Sequence, residues 1–429
     1  MKSKTLRSGV AGLSAIALVL AGCGRDDAAD TEVAGVTQEP CPEAVDPEKG
    51  CIYLGAITDL TGPFSPIGAP MIEGSQAYWQ YVNENGGVGD YEVDMVTHVR
   101  DNTYNETTHS QEYREIRDQI LMLAHSMGTA HTNGILDDTR QQNIVTVPAS
   151  LGSNWLFEEG VMEFGTSYCA EAMNMVDYAV DEFDAASVGA VHFPGDYGDD
   201  AANGAQLAAE ERGVEFFRYT TAPGGTDAQT AVIQRILADR PDVVLLSTSA
   251  IETGAIVGAT VAQGFEGRFI GSTPTWSAGL LGSQAAPALE GRFVHAGAVA
   301  PWGHDSEGHA QMRQVAESIG AEPNDWFVLG WGASSVIHGL LQQAADNDQL
   351  SRSGLFEAVD SLAGVDTKGM FPEGAGDYTG EVNENASREN IISRVEVDSP
   401  TGLVLEEEWY VGPTAENFEF TEACYLMQP

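Results

Sequence analysis

Short apolar runs rich in β-branched residues alternate with stretches of helical period along most of this chain, and that alternation constrains its fold more than any other feature. It opens with Ile52-Tyr53-Leu54-Gly55-Ala56-Ile57, a strand pattern, followed by a Gly/Pro loop to Gly68. A helix is expected next, because Met71, Tyr78, Tyr81 and Val82 share one helical face and Gly86-Gly87 ends it. Tyr91 to Val99 reads as a strand. Tyr113, Ile116, Ile120 and Leu123 read as a second helix, and Ile144 to Val147 as a strand ended by Pro148. Past Phe164 the alternation restarts, with strands at Val188 to Val191, Val214 to Phe217, Val243 to Leu246 and Phe269-Ile270. Helices are expected between them, around Ala201 to Arg212, Asp227 to Ala238 and Thr253 to Ala262. After Phe293 the pattern is mostly helical, Glu307 to Ile319 and Asp325 to Ala345, with Trp326, Leu329, Ala333, Ile337 and Leu340 at core spacing. Repeated βα units call for parallel sheets covered by helices, and two such series in one chain predict an α/β protein of two lobes.

Upstream of this pattern lies a targeting segment. Lys2, Lys4 and Arg7 make a positive start, and Val10 to Leu20 is apolar but short for a bilayer span. Leu20-Ala21-Gly22-Cys23 reads as a lipidation site, in which small residues enter a peptidase cleft and the Cys23 thiol accepts a diacylglycerol. Residues 1–22 are thus expected to be a lipoprotein signal peptide. Two or three acyl chains on Cys23 anchor stably where one does not, so 23–50 is expected to be a polar tether on an extracytoplasmic, lipid-anchored protein.

Charge excludes whole classes of partner. The chain has 20 Lys+Arg against 64 Asp+Glu, net −44, and loss of Lys2, Lys4 and Arg7 with the signal takes it to −47. A surface this negative repels phosphate backbones and acidic headgroups, which argues against nucleic acid and against any membrane contact except the lipid anchor. A hydrophobic fraction of 43% still suffices for a core. Four cysteines follow Cys23, namely Cys41, Cys51, Cys169 and Cys424, and three pairings are possible in a compartment that permits disulfides. Pro42, Pro47 and Gly50 suit a closed turn that joins Cys41 to Cys51, which leaves Cys169 with Cys424.

The motifs, taken in order, resemble the periplasmic type I solute-binding proteins of the branched-chain amino acid uptake systems. Ile52-Tyr53-Leu54-Gly55, then Leu60-Thr61-Gly62-Pro63-Phe64 and Asn83-Glu84-Asn85-Gly86-Gly87-Val88, look like that family's opening strand, loop and helix. Val191-His192-Phe193 before Asp196-Tyr197-Gly198 resembles the start of its second lobe, and the likeness runs from about residue 52 to about 411. The resemblance implies a two-lobed clamp, each lobe a mainly parallel sheet flanked by helices. Three crossovers form the hinge, near 165–170, 295–300 and 388–396, with one lobe from 52–167 and 298–390 and the other from 168–297 and 391–429. It implies a ligand in the cleft and, elsewhere in the cell, ABC permease and ATPase subunits to receive it. The ligand-binding residues carried over are Phe64, Thr129 and Ser150 on the first lobe, and Tyr197, Ser249 and Thr273 on the second.

The chain departs from the family at two of these places. Amino-acid binders usually have a serine where Gly128 stands and an acidic residue about where Thr273 stands, the latter pairing with the ligand's ammonium. Burying an unpaired ammonium costs several kcal/mol. Either Asp196 or Glu252 replaces the missing acid, or the ligand is not an ordinary α-amino acid but a small amide, a urea-like compound or a small carboxylate. A sensor that reports closure to a signalling receptor is the alternative use of the same clamp.

Catalytic motifs are absent: there is no H-E-x-x-H, no G-x-S-x-G and no G-x-x-x-x-G-K-[ST]. Gly374-Ala375-Gly376 with Gly380 has the wrong spacing for a dinucleotide fingerprint. No enzyme activity, metal or cofactor is expected. The charge generates one prediction. Screening length falls from about 10 Å at 0.1 M salt to about 3 Å at 1 M, so a salt-adapted surface predicts a higher melting temperature in molar NaCl. A melting temperature that is flat across that range leaves only an acidic exported protein.

Overall fold

A computed structural model describes residues 33–427. The signal peptide and Cys23 lie outside the described residues. The described chain builds two sheets. The first comprises β1 (Val36–Thr37), β2 (Gly50–Thr58), β3 (Tyr91–Asp101), β4 (Met122–Met127) and β5 (Thr146–Ala149). β2 lies between parallel β3 on one edge and parallel β4 on the other, and β5 extends the β4 side in parallel. β1 pairs antiparallel with Cys51 and Ile52 of β2, so part of the expected tether is folded onto the first sheet. Gly35 makes this possible. Its φ is +76°, and a Cβ there would lie 1.9 Å from the Leu121 backbone nitrogen.

The second sheet holds β6 (Ser187–His192), β7 (Glu215–Thr220), β8 (Val243–Ser247), β9 (Arg268–Gly271), β10 (Phe293–Gly297), β11 (Asn390–Val395) and β12 (Leu403–Tyr410). Its order is β12-β11-β10-β9-β8-β6-β7, parallel from β7 to β10 and antiparallel at β11 and β12. The chain passes between the sheets three times: after β5, after β10 and before β11. Adjacent passages are tied together, with the Thr166 hydroxyl donating to the Glu389 carbonyl at 2.5 Å and the Asn174 amide to the Arg388 carbonyl at 2.7 Å. Among the described residues no helix is long and apolar enough to cross a membrane.

Three expectations need correction. Ile120 and Leu123 are not helical: the helix ends at Ile116, a 3-10 turn covers Arg117–Gln119, and Leu123 belongs to β4. Every residue of β4 is buried. A strand covered on both faces reads as a continuous apolar run, and such a run satisfies a helical spacing by accident. Pro148 does not end its strand, since β5 continues through it to Ala149 at the outer edge, where a missing N–H costs no ladder bond. Finally, the region after Phe293 is not mostly helix, because it supplies β10, β11 and β12.

Two helix contacts set the positions of everything around the cleft. The Asp325–Asp346 helix crosses the Ser65–Glu84 helix so closely that a Cβ on Gly74 would lie 2.2 Å from the Phe327 carbonyl oxygen, and one on Gly330 would lie 2.0 Å from that of Met71. The Ser75 hydroxyl donates to the Gly330 carbonyl across the same contact, at 3.1 Å. In the other lobe, a Cβ on Gly204 of the Asp196–Arg212 helix would lie 2.2 Å from the Cys169 carbonyl oxygen on the Tyr168–Phe183 helix.

The structure joins Cys41 to Cys51 and Cys169 to Cys424. The first closes a short loop over the edge of β2, and the second pins the C-terminal segment to the Tyr168–Phe183 helix across a separation of 255 residues. Loop entropy puts replacement of the long-range pair by Ser at about 5 kcal/mol and of the short pair at about 2.5–3 kcal/mol. Denaturant unfolding is expected to rank them in that order; the reverse ranking means that the C-terminal segment is held mainly by its hydrogen bonds.

Candidate ligand-binding cleft

The cavity lies where the two lobes meet. The first lobe supplies Phe64 from the loop after β2, Ile67 and Met71 from the helix that follows, and Tyr104 from the loop after β3. Met127 ends β4, Gly128 and Thr129 follow it, and Ser150 and Leu151 follow β5. These are carboxyl ends of parallel strands, where an open α/β sheet exposes its functional loops. The second lobe closes the space with Tyr197, Thr273 and Pro274, and Tyr168 sits at the passage between them. Trp326 and Leu329, on the helix packed through Gly330, form the remaining wall. Counting the open solvent at its mouth, the cavity holds about 600 Å³ not filled by protein.

Buried acids hold several of these walls in place. Asp59 accepts from the Gly62 N–H at 2.5 Å and the Phe64 N–H at 2.7 Å, which fixes the loop so that Phe64 packs on Tyr104 with ring centres 4.2 Å apart. Glu171 accepts from the Thr273 N–H at 3.1 Å and the Thr273 hydroxyl at 2.5 Å. Tyr197 belongs to the first turn of the Asp196–Arg212 helix, packs on Tyr168 at 4.4 Å, and its hydroxyl donates to the Thr248 carbonyl at 3.1 Å. Between the lobes, the Asn133 amide donates to Asp196 at 3.0 Å and the Ser153 N–H to Asp200 at 3.0 Å, so first-lobe groups grip the second-lobe helix directly.

What remains unspent is small in number. The Thr129 and Ser150 hydroxyls are buried and have no hydrogen-bond partner. Tyr104 and Tyr168 bring two further phenol groups to the wall. Among the described residues no Asp, Glu, Lys or Arg lines the cavity. Gly128 is a glycine for a local reason: its φ is +101°, and a Cβ would lie 2.3 Å from His131 Nδ1, so the serine usual in amino-acid binders has no room.

Five of the six residues read from the sequence, Phe64, Thr129, Ser150, Tyr197 and Thr273, line this one cavity. Ser249 does not. It caps the Ala250–Ala262 helix, with its hydroxyl bonded to Glu252 and to the Ile251 N–H, which is a capping box. Neither acid proposed to replace the missing ammonium partner is free: Glu252 is held by Ser249 and the Gly224 N–H, and Asp196 by Asn133. Trp155 supports the site from behind by donating to the Ser150 carbonyl at 3.1 Å, and Trp276 is core, stacked on Phe293. Sequence reasoning missed Tyr104, Tyr168, Trp326 and Leu329. The last two carry ordinary core spacing, and nothing in the local pattern separates a helix face that lines a cavity from one that fills a core.

A family model for periplasmic binding proteins matches residues 51–396. The chain belongs to that family. Among relatives of this binding protein is a Leu/Ile/Val-binding protein homolog 1 from Brucella melitensis, 22% identical over 74% of this chain and 87% of the relative. Among solved structures, a fatty acid ABC transporter substrate-binding protein from Thermomonospora curvata is 27% identical with a TM-score of 0.80, covering 90% of this chain and 97% of the other. A branched chain amino acid ABC transporter from Thermus thermophilus with bound valine is 19% identical with a TM-score of 0.73, covering 85% and 97%. The binding protein shares their type I fold of two parallel-rich sheets flanked by helices.

Burial pushes the Glu171 carboxyl of the binding protein up to about 8, against the opposing pull of the Thr273 hydrogen bonds. The unfolded carboxyl titrates near 4.5, so between these values the folded state keeps a proton that the unfolded chain releases. That contribution to stability is complete at low pH and is lost as pH rises through the interval. Glu171→Gln removes the titration and is expected to gain on the wild type from about pH 5 to about pH 8, by at most about 1.4 kcal/mol per unit. Urea unfolding series with parallel pH slopes for the two proteins would show that Glu171 titrates normally.

Proposed function

We propose that this protein is the extracytoplasmic, lipid-anchored substrate-binding component of an ABC importer, and that its ligand is a small carboxylic acid with an apolar tail. A clamp of this family captures a solute between its lobes without changing it chemically. Closure then presents the loaded form to a permease driven by a separate ATPase.

One observation carries the choice of ligand. The cavity wall is apolar and aromatic, carries no ionisable carboxylate or cation, and offers two buried hydroxyls with no partner. An α-amino acid would bring an ammonium into this space, whose wall carries no acid; Glu171, Glu252 and Asp196 have donors of their own, and Asp325, with one oxygen unpartnered, lines the adjoining space instead. A carboxylate needs donors only, and the Thr129 and Ser150 hydroxyls supply them while Phe64, Met71, Met127 and Leu329 surround the tail. The relative from Thermomonospora curvata is a fatty acid ABC transporter substrate-binding protein, whereas the structure from Thermus thermophilus holds valine, so both chemistries occur on this fold. The missing charge partner favours the first.

Calorimetry and thermal shift with short straight-chain fatty acids, leucine, valine, small amides and urea separate these classes. A ligand at 100 times its Kd adds about 2.7 kcal/mol of stability. The acids are expected to bind and the amino acids not. Thr129→Val and Ser150→Ala are each expected to weaken the acids about 10-fold or more, the scale of a lost hydrogen bond to a charged group. Binding of leucine or valine in preference to every acid overturns the ligand class. A scattering radius unchanged by a ligand proven to bind overturns the closing clamp.

A further inference from the structure

Trp326 stands between two cavities. Beyond the wall made by Thr273, Trp326 and Leu329 the ligand cavity adjoins a second space, about 350 Å³ when the open solvent at its mouth is counted, and those three residues wall both. Its other sides are mainly apolar or without side chain: Trp276, Gly297, Ala298, Val299, Pro301 and Leu403. Its two polar residues are tied. His295 Nε2 lies 3.1 Å from the Thr273 carbonyl oxygen, and burial lowers the imidazole to about 4, which keeps it neutral. Asp325 accepts from the Trp302 N–H at 2.8 Å and the Thr401 hydroxyl at 2.9 Å through one oxygen, leaving its other oxygen unpartnered. The rear chamber therefore suits the uncharged end of a chain rather than a second carboxylate, which Asp325 would repel.

The attachment of Trp326 suits a movable partition. Its backbone is fixed, since it belongs to the first turn of the Asp325–Asp346 helix and its N–H donates to the Asn324 side chain at 2.9 Å. Its ring has one hydrogen bond, from Nε1–H to the Trp276 carbonyl at 3.2 Å. Rotation of the side chain breaks only that bond while the helix stays in place.

We infer that Trp326 sets the chain length of the ligand: with the indole as it stands the front cavity admits a short acid, and a displaced or smaller side chain joins the rear chamber to it and admits a longer tail. This rests on the carboxylate reading of the front cavity.

The test is a calorimetric series of straight-chain monocarboxylic acids, from about four to about sixteen carbons, on the wild type, Trp326→Ala and Trp326→Phe. Circular dichroism and melting temperature establish that each variant is folded. Each further buried CH2 tightens binding about fourfold. Trp326→Ala is expected to move the best-bound length upward by several carbons, so that acids too long for the wild type gain at least about 10-fold relative to the shortest ones. Trp326→Phe is expected to shift the optimum the same way by less, and it decides the matter if Trp326→Ala does not fold. An unchanged optimum, or a loss equal at every length, overturns the inference and leaves Trp326 as packing while the carboxylate reading stands. If the wild type binds no acid of any length, the carboxylate reading fails and this inference falls with it.

Discussion

Two close approaches between helices, each possible only because a glycine has no side chain, hold the cleft in register. Gly74 and Gly330 let the Ser65–Glu84 and Asp325–Asp346 helices touch backbone to backbone, although some 250 residues of chain separate them. Ile67 and Met71 then face Trp326 and Leu329 across a single space. Gly204 does the same for the second lobe against Cys169, and this brings Tyr168 beside Tyr197. A Cβ at any of these glycines would lie closer to a backbone carbonyl than real atoms approach. The helices would have to separate, and the wall residues they carry would separate with them.

Charge is distributed between the outside and inside of this protein in opposite ways. The surface is strongly acidic, whereas the cavity wall contains no charged side chain. Four buried acids near the cavity are committed to protein donors, Asp59 to a loop, Glu171 to Thr273, Asp200 to Ser153 and Glu252 to a helix cap, while Asp325 is bonded through one oxygen only. Burial pushes Glu171 up to about 8 and Asp200 up to about 7, so both approach the neutral form rather than offering a negative charge to a ligand. The acids act as fasteners of the frame, and hydroxyls are left as the polar surface of the site.

The second sheet was legible from β6 to β9 because its strands are short, β-branched and separated by helices of clear period. The last three strands were not: β10 follows β9 across a helix of only seven residues, Ala286–Arg292, and β11 is reached only after the chain has returned to the first lobe. β4 was lost to its own burial. On the site, the family resemblance pointed to Thr129 and Ser150, and the structure leaves these two hydroxyls buried and unpartnered. Ser249 looked equivalent by the same criterion. The difference lies in Glu252 three residues on, a capping-box partner that the sequence also contained.

By itself the sequence determined the class of fold and the kind of molecule: period-2 and period-3.6 patterns are local, and the order of motifs survives without knowledge of contacts. Set against the family it resembles, it also had no acidic residue where Thr273 stands, and the absence of a charge is visible in one dimension. Only the tertiary structure decided which residues enclose the ligand space. Trp326 and Leu329 reach it through a helix contact between segments far apart in the chain, and Tyr104 and Tyr168 through the meeting of loops from different passages. Burial and hydrogen-bond partnership depend on such distant neighbours, so whether a serine or an aspartate is spent or free is settled only when the chain has closed on itself.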